Sequence, residues 1–452
     1  MRIVKHRFVL SIAAGLLLAV LLAPLALAAQ HTENIDNPYP CAAQESWVTS
    51  PNPPQEIPDN GSDFCDFYQF AWQWFLYLGS PGDDGRNFQD NASFPEWEYP
   101  ADSCDGQSEG HSLFIRDVKG DDEDEATDVM IPDRTGQAGG GAVIYDQNEN
   151  VVYYNVQFDQ GLCDAGTSGN LPSGTTEMKT SWRLMDGDDD TYFTWTVAID
   201  GVNGGDPVDL GLVGFHLFRT TANHPEGVWM TWEHESNAPT CTHPQTAPAG
   251  GWSFTSAECA ACLAGGGECT SCQFNVATAD SKTDPDPTEI CQVYRNGTKK
   301  GDLKAEENLI VVNELNRQLV GPGGFLGQLD PGNAMAVWAH YPMVGGLWVS
   351  DPSKPAADSN GNDTGNQRGS LQLANTTMET THQGGPNSSP MLNCFTCHDY
   401  QPNETATSGL SHIFSEIKGS SRDSAKSAHR GAHDLTFVKA HRPAPDAGAD
   451  RD

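Results

Sequence analysis

Near the end of the chain, in the run MLNCFTCHDY, two cysteines stand three apart and a histidine follows the second at once: Cys394, Cys397 and His398. Twelve cysteines and fourteen histidines scattered at random through 452 residues would give roughly 0.01 such matches, so the spacing needs a chemical reason. Two thiols one turn apart suit the two vinyl groups of a porphyrin, and an imidazole beside the second thiol can reach its iron. The pattern therefore predicts one covalently held haem c, with thioethers at Cys394 and Cys397 and with His398 as the proximal ligand. The bland alternative is a redox dithiol or a disulfide that happens to precede a histidine.

The other end of the chain agrees with this chemistry. Arg2, Lys5 and Arg7 precede the apolar run from Phe8 to Leu22, Pro24 interrupts it, and Ala26, Leu27 and Ala28 offer small residues for cleavage. Residues 1–28 are expected to be a signal peptide, with no integral membrane span once it is removed, and the mature protein is expected in the periplasm or secreted. Ten further cysteines, an even number, then read as disulfides: Cys41, Cys65, Cys104, Cys163, Cys241, Cys259, Cys262, Cys269, Cys272 and Cys291. For Cys259, Cys262, Cys269 and Cys272 a four-thiolate zinc or iron–sulfur site is the sharper alternative, although the spacer between the pairs is short for a zinc ribbon.

Sixty-one acidic against 25 basic residues give a formal charge of −36, which argues against nucleic acid or an anionic membrane surface as a partner. An acidic surface also keeps an exported protein soluble. The sign reverses locally, with Lys418, Arg422, Lys426, Arg430, Lys439 and Arg442 against Asp423 and Asp434. Such a tail is suited to folding back on the acidic body, lying near haem propionates or docking a redox partner protein.

Between the ends, DFCDFYQFAWQWFLYLG predicts an aromatic helix ending at Gly79, and residues 304–320 predict a second that stops at Gly321. Residues 80–140, rich in Gly, Asp and Pro, read as loop. Residues 142–158 alternate apolar and polar on either side of Asn148, Glu149 and Asn150, a hairpin pattern, and strand-like runs continue to about 235. His216 and His234 within them read as core histidines. Residues 239–300 form a cysteine- and glycine-rich excursion, AMAVWAHYPMVGGLWVS reads as buried and extended, and residues 358–369 read as a flexible loop. The expected fold is α+β, a mainly antiparallel β body with several helices (residues 29–370), plus a C-terminal haem-c-binding segment (residues 371–452). No hydrolase elbow, HExxH helix or phosphate loop is present.

The runs LGLVGFHLFRTT, VWMTWEHESNAP, PTEICQVY, YPMVGGLW and LANTTMETTHQ, the last shortly before the C-x-x-C-H, carry a resemblance. Over residues 63–415 the chain is similar to a family of exported bacterial monohaem cytochrome c-like proteins with a large N-terminal region and a late haem motif. The resemblance implies haem binding and electron transfer, supports Cys394, Cys397 and His398, and marks His216 and Met378. No methionine follows Met391, so a methionine sixth ligand has to come from upstream. Met378 and His412 are the leading candidates, ahead of His382, His429, His433 and His441. The expected function is electron transfer. The alternatives are a haem-dependent redox enzyme whose β-rich region binds a substrate, and a binding or envelope module with haem as a staple.

Overall fold

Asp63 starts the longest aromatic element. Its carboxylate accepts from Asp66 N at 3.1 Å, while the Asp66 carboxylate accepts from Asp63 N at 3.1 Å, a reciprocal cap that satisfies two amides the helix leaves open. No β-branched residue interrupts FCDFYQFAWQWFLYLG, and the helix runs Phe64–Gly79. The Cys41–Cys65 disulfide pins its first turn. At its end Trp338 Nε1 donates to Gly79 O at 2.8 Å, and a Cβ at Gly79 would meet that indole at 2.7 Å. The chain is seen here as a computed structural model, which describes residues 37–61, 63–83, 85–96, 111–117, 144–162, 171–199, 202–242, 245–276, 286–298, 303–358, 363–383, 394–398, 400–402, 410–411 and 434–441. Residues 41–452 group as one compact unit.

The strands are β1 (Pro81–Gly82), β2 (Gly85–Arg86), β3 (His111–Asp117), β4 (Tyr153–Phe158), β5 (Thr176–Leu184), β6 (Thr194–Ile199), β7 (Pro207–Arg219), β8 (Val228–Glu233), β9 (Met343–Val349), β10 (Gln367–Gly369) and β11 (Asp434–His441). The first two form a small hairpin. The other nine form one sheet in the order β10-β9-β8-β7-β5-β4-β3-β11-β6, and every pairing is antiparallel. Because β6 also pairs with β7, the pairings return on themselves through six strands. Gly227 makes the β7–β8 return possible: its φ of +74° is one L-residues avoid, and a Cβ there would strike the Phe218 ring. This is the α+β, mainly antiparallel architecture the sequence predicts.

Period-2 alternation gives β8 two buried faces. Met230 and Trp232 point toward helix Phe64–Gly79, where Trp232 stacks on Phe75 at 4.4 Å and Phe215 of β7 meets Phe75 edge-on at 5.5 Å. On the same side Phe67 stacks on Trp348 of β9 at 4.0 Å, and the Tyr68 hydroxyl meets Asn308 of helix Leu303–Leu319. Burying each of these rings stabilises the fold by about 2–3 kcal/mol. Trp229, Thr231 and Glu233 point the other way.

Three readings need correction. Residues 358–369 are not all flexible loop, since Gln367–Gly369 forms β10 against β9. Residues 80–140 are not all loop, since β1, β2 and β3 lie there, and β3 is held by β11 from the far end of the chain. AMAVWAHYP is not extended throughout: Ala336–His340 forms a 3₁₀ turn that carries Trp338 back to Gly79. In the excursion, disulfides join Cys241 to Cys291, Cys259 to Cys272 and Cys262 to Cys269. All four thiols of the proposed tetrad are thereby consumed, which leaves none to hold zinc or an iron–sulfur cluster. Cys104 and Cys163 lie outside the described residues.

Candidate functional site

The second face of the sheet is covered by residues 371–383, by a short helical turn Cys394–Cys397 and by Tyr400 and Leu410. Asn375 opens the strap. Its Nδ2 donates to Thr231 Oγ1 at 2.9 Å, Thr376 N donates to Glu233 Oε1 at 2.8 Å, and Thr377 Oγ1 pairs with Ser181 Oγ at 2.6 Å. Tyr154 OH donates to Thr377 O at 2.7 Å, and Glu379 Oε1 takes His216 Nε2 at 2.7 Å while its Oε2 accepts from Asn375 N at 2.8 Å. One turn is thus tied to β4, β5, β7 and β8 together. Thr380, Gln383 and the turn itself are buried, and Met378, fully buried, joins an apolar cluster with Trp229, Leu347, Phe395, Tyr400 and Leu410, against which Cys394 also packs.

The turn Cys394–Cys397 hands the chain to His398, whose N donates to Cys394 O at 2.7 Å. The His398 side chain is 2% exposed and lies 4.2 Å, centroid to centroid, from the Trp229 indole. His398 Nδ1 is 2.8 Å from Leu410 O. A carbonyl only accepts, so Nδ1 carries a proton, and in the neutral ring the lone pair is then on Nε2. Phe395, also buried, meets Trp229 edge-on at 6.5 Å. The chemistry of this donor set fits an iron porphyrin: an imidazole in the ligating tautomer, oriented through its other nitrogen, on an apolar wall. The buried Trp229 Nε1 has no hydrogen-bond partner among the described residues, so the wall also holds an N–H donor whose acceptor the described residues do not supply.

Of the predicted site residues, the structure brings together Met378, Cys394 and His398, with the backbone of Cys397 in the same turn. His412, the other candidate sixth ligand, lies outside the described residues, as do His429 and His433. His216 is more than a core histidine, since it pairs with Glu379 on the strap. His234 is the core histidine the sequence predicts. It stacks on Tyr192 at 3.6 Å, its Nε2 donates to Thr191 O, and burial pulls its pKa down to about 4. Among the described residues no group of three or more His, Cys, Asp or Glu side chains is placed to hold a metal ion, and no helix is long and apolar enough to cross a membrane.

Sequence reasoning missed two carboxyls on this face. Burial pushes Glu233 up to about 7, and the charge of Glu379 adds to the rise, against hydrogen bonds from Thr376 and Asn237. Glu177 of β5 is likewise raised to about 7, by desolvation first, with Ser411 and Lys179 opposing. For Glu233 the available signal was an acidic side chain closing the largely apolar run VWMTWE, where an ionised group is costly; for Glu177, in the mainly polar TEMKTSWRL, the sequence carries no such signal.

Four of the runs LGLVGFHLFRTT, VWMTWEHESNAP, PTEICQVY, YPMVGGLW and LANTTMETTHQ meet here, as β7, β8, β9 and the strap; PTEICQVY is the exception. It joins them through Gln292 Nε2, 3.5 Å from Glu233 Oε1, and Val293 N, which donates to Gln383 Oε1 at 3.0 Å. Compared with known protein families, curated proteins and solved structures, the chain matches none.

Proposed function

We propose that this chain is an extracytoplasmic c-type cytochrome that binds one haem c through Cys394 and Cys397 and passes single electrons between redox partner proteins. The observation that carries the reading is His398: it follows the two cysteines directly, is buried against Trp229, and donates Nδ1–H to Leu410 O at 2.8 Å. That hydrogen bond fixes the ring and makes Nε2 a better donor to iron. Bound there, a haem supplies an iron centre that accepts and releases one electron. Trp229, Phe395 and Leu410 would exclude water beside His398, and low polarity around an iron is one of a protein's means of setting its potential. Met378 is the candidate for the sixth position that the structure places in the same cluster; His412 is the alternative. The N-terminal leader and the disulfides support an oxidising, extracytoplasmic compartment.

One observation favours a second reading, a haem-dependent redox enzyme: His216, Glu379 and Glu233 form a row of ionisable groups on the motif's face of the sheet. The experiment is a pyridine haemochrome assay with intact mass on mature protein from a host competent to attach haem c. One haem per chain, lost when Cys394 and Cys397 are both changed to Ser, is expected, and protein without added porphyrin mass refutes the proposal. A spectrum unmoved by cyanide and peroxide favours the carrier, whereas ligand binding favours the enzyme.

A further inference from the structure

Leu410 and Ser411 are consecutive, fully buried residues with different duties. The Leu410 carbonyl accepts from His398 Nδ1 at 2.8 Å, and the Ser411 hydroxyl donates to Glu177 Oε2 at 2.7 Å. A single peptide unit therefore joins the histidine of the C-x-x-C-H to an acid on β5. Glu177 as a whole keeps some surface exposure although its surroundings are dense enough to raise its carboxyl by desolvation. Dense surroundings make charge there costly, and residual access lets a proton exchange with solvent. The hydroxyl suits both states, since it donates to a carboxylate and accepts from a carboxylic acid.

We propose that Glu177 takes up a proton when the protein is reduced, so that electron and proton are carried together. This rests on the haem reading above. In balanced form, one electron arrives from a one-electron donor and one proton from solvent, the proton bonding to a carboxylate oxygen of Glu177. On oxidation the electron leaves for an acceptor and that O–H bond breaks. The cause is Coulombic: added negative charge in a low-dielectric site raises the proton affinity of a nearby buried acid.

The other ionisable groups around Glu177 do not fill this role. Lys179, on the same strand and 8% exposed, acts on Glu177 as a fixed positive charge, with its ammonium 5.8 Å from the Tyr154 ring centre on β4. Asp159, beyond the end of β4, accepts from Thr176 N and is raised by its own burial. His216 of β7 is held by Glu379 of the strap, and Arg219 at the end of β7 bonds Gly174 O. Glu233 is bonded by Thr376, Gln292 and Asn237, none of which bonds His398.

The test is a spectroelectrochemical titration of the haem-loaded mature protein between pH 5 and pH 9, after a haemochrome assay has established one haem per chain. The reduction equilibrium is expected to fall with rising pH across neutrality, approaching tenfold per pH unit, or 59 mV for a one-electron couple. Glu177→Gln is expected to flatten the profile with haem content and absorption unchanged. In the wild type, reduced-minus-oxidised infrared difference spectra are expected to gain a protonated-carboxyl C=O band that shifts in D₂O, a readout that does not depend on the variant folding. A flat wild-type profile, an unaltered slope in Glu177→Gln, or no carboxyl band overturns the proposal and leaves the haem reading standing. Protein without haem overturns both.

Discussion

Glu233→Gln separates the cost of burying a charge from the worth of the hydrogen bonds that charge accepts. Glu233 is 3% exposed, and desolvation lifts its carboxyl to about 7 from 4.5. A raised pKa means that between pH 4.5 and 7 the folded chain keeps a proton the unfolded chain has released. Stability from this group is therefore complete below about 4.5, falls as pH rises through 7, and is level above it. A separation of about 2.5 pH units at 1.36 kcal/mol each amounts to roughly 3 kcal/mol. Glutamine keeps the shape of the protonated acid and cannot ionise, so the variant is expected to match the wild type within about 1 kcal/mol at pH 4.5 and to be more stable by roughly 3 kcal/mol at pH 8. With an unfolding entropy of about 2.1 cal/mol/K per residue over about 400 residues, that gain is about 4 °C in Tm. Scanning calorimetry of both proteins at the two pH values, disulfides intact, measures it. Equal destabilisation of the variant at both pH values would show that the bonds from Thr376 and Gln292, not desolvation, dominate, and would refute the argument.

Three further outcomes are expected. Met378→Ala removes a fully buried side chain and costs about 2–5 kcal/mol in urea denaturation; in haem-loaded protein it converts a six-coordinate visible spectrum to a five-coordinate one, and an unchanged spectrum passes the sixth position to histidine. Peptide mapping without reduction should recover Cys259 linked to Cys272 and Cys262 linked to Cys269, with zinc chelators leaving the Tm unmoved; Cys259→Ser with Cys272→Ser, which opens a loop of sequence separation 13, should cost about 3 kcal/mol. Asp63→Ala uncaps helix Phe64–Gly79 and should lower stability by about 1 kcal/mol without altering any haem absorption.

The elements legible in the sequence were those whose signal is local. Helix Phe64–Gly79 carries its own cap at Asp63 and no β-branched residue, and helix Leu303–Leu319 stops just before Gly321. What failed was non-local. The run HSLFIRD lies in glycine- and aspartate-rich surroundings with no clean alternation, and it becomes β3 because β11 pairs along it from Asp117 to His111. AVWAH is too short and too uniformly apolar for periodicity to choose between strand and turn; the choice is made by the Trp338 indole reaching Gly79 O and by its ring meeting Phe75 at 5.2 Å. Neither partner can be named from the segment itself.

The site was half legible for a related reason. The cysteines and histidine stand out because their spacing is far from chance, but the wall they pack on is written as an alternation that is easily taken for solvent on one side. In VWMTWE the last four residues alternate apolar and polar, yet all six are buried. Thr231 and Glu233 are polar because they face Asn375 and Thr376 of the strap, not water. The same reading applies to Glu177 and Ser181 on β5, whose partners are Ser411 and Thr377. A strand that alternates and still has no exposed face has to meet a second layer bearing complementary polar groups, since buried donors and acceptors left unpaired cost about 1–3 kcal/mol each. That second layer here is the run NTTMET, and it is the need to satisfy Thr231, Glu233, His216 and Ser181 together that sets Met378 into the cluster holding Phe395 and Leu410.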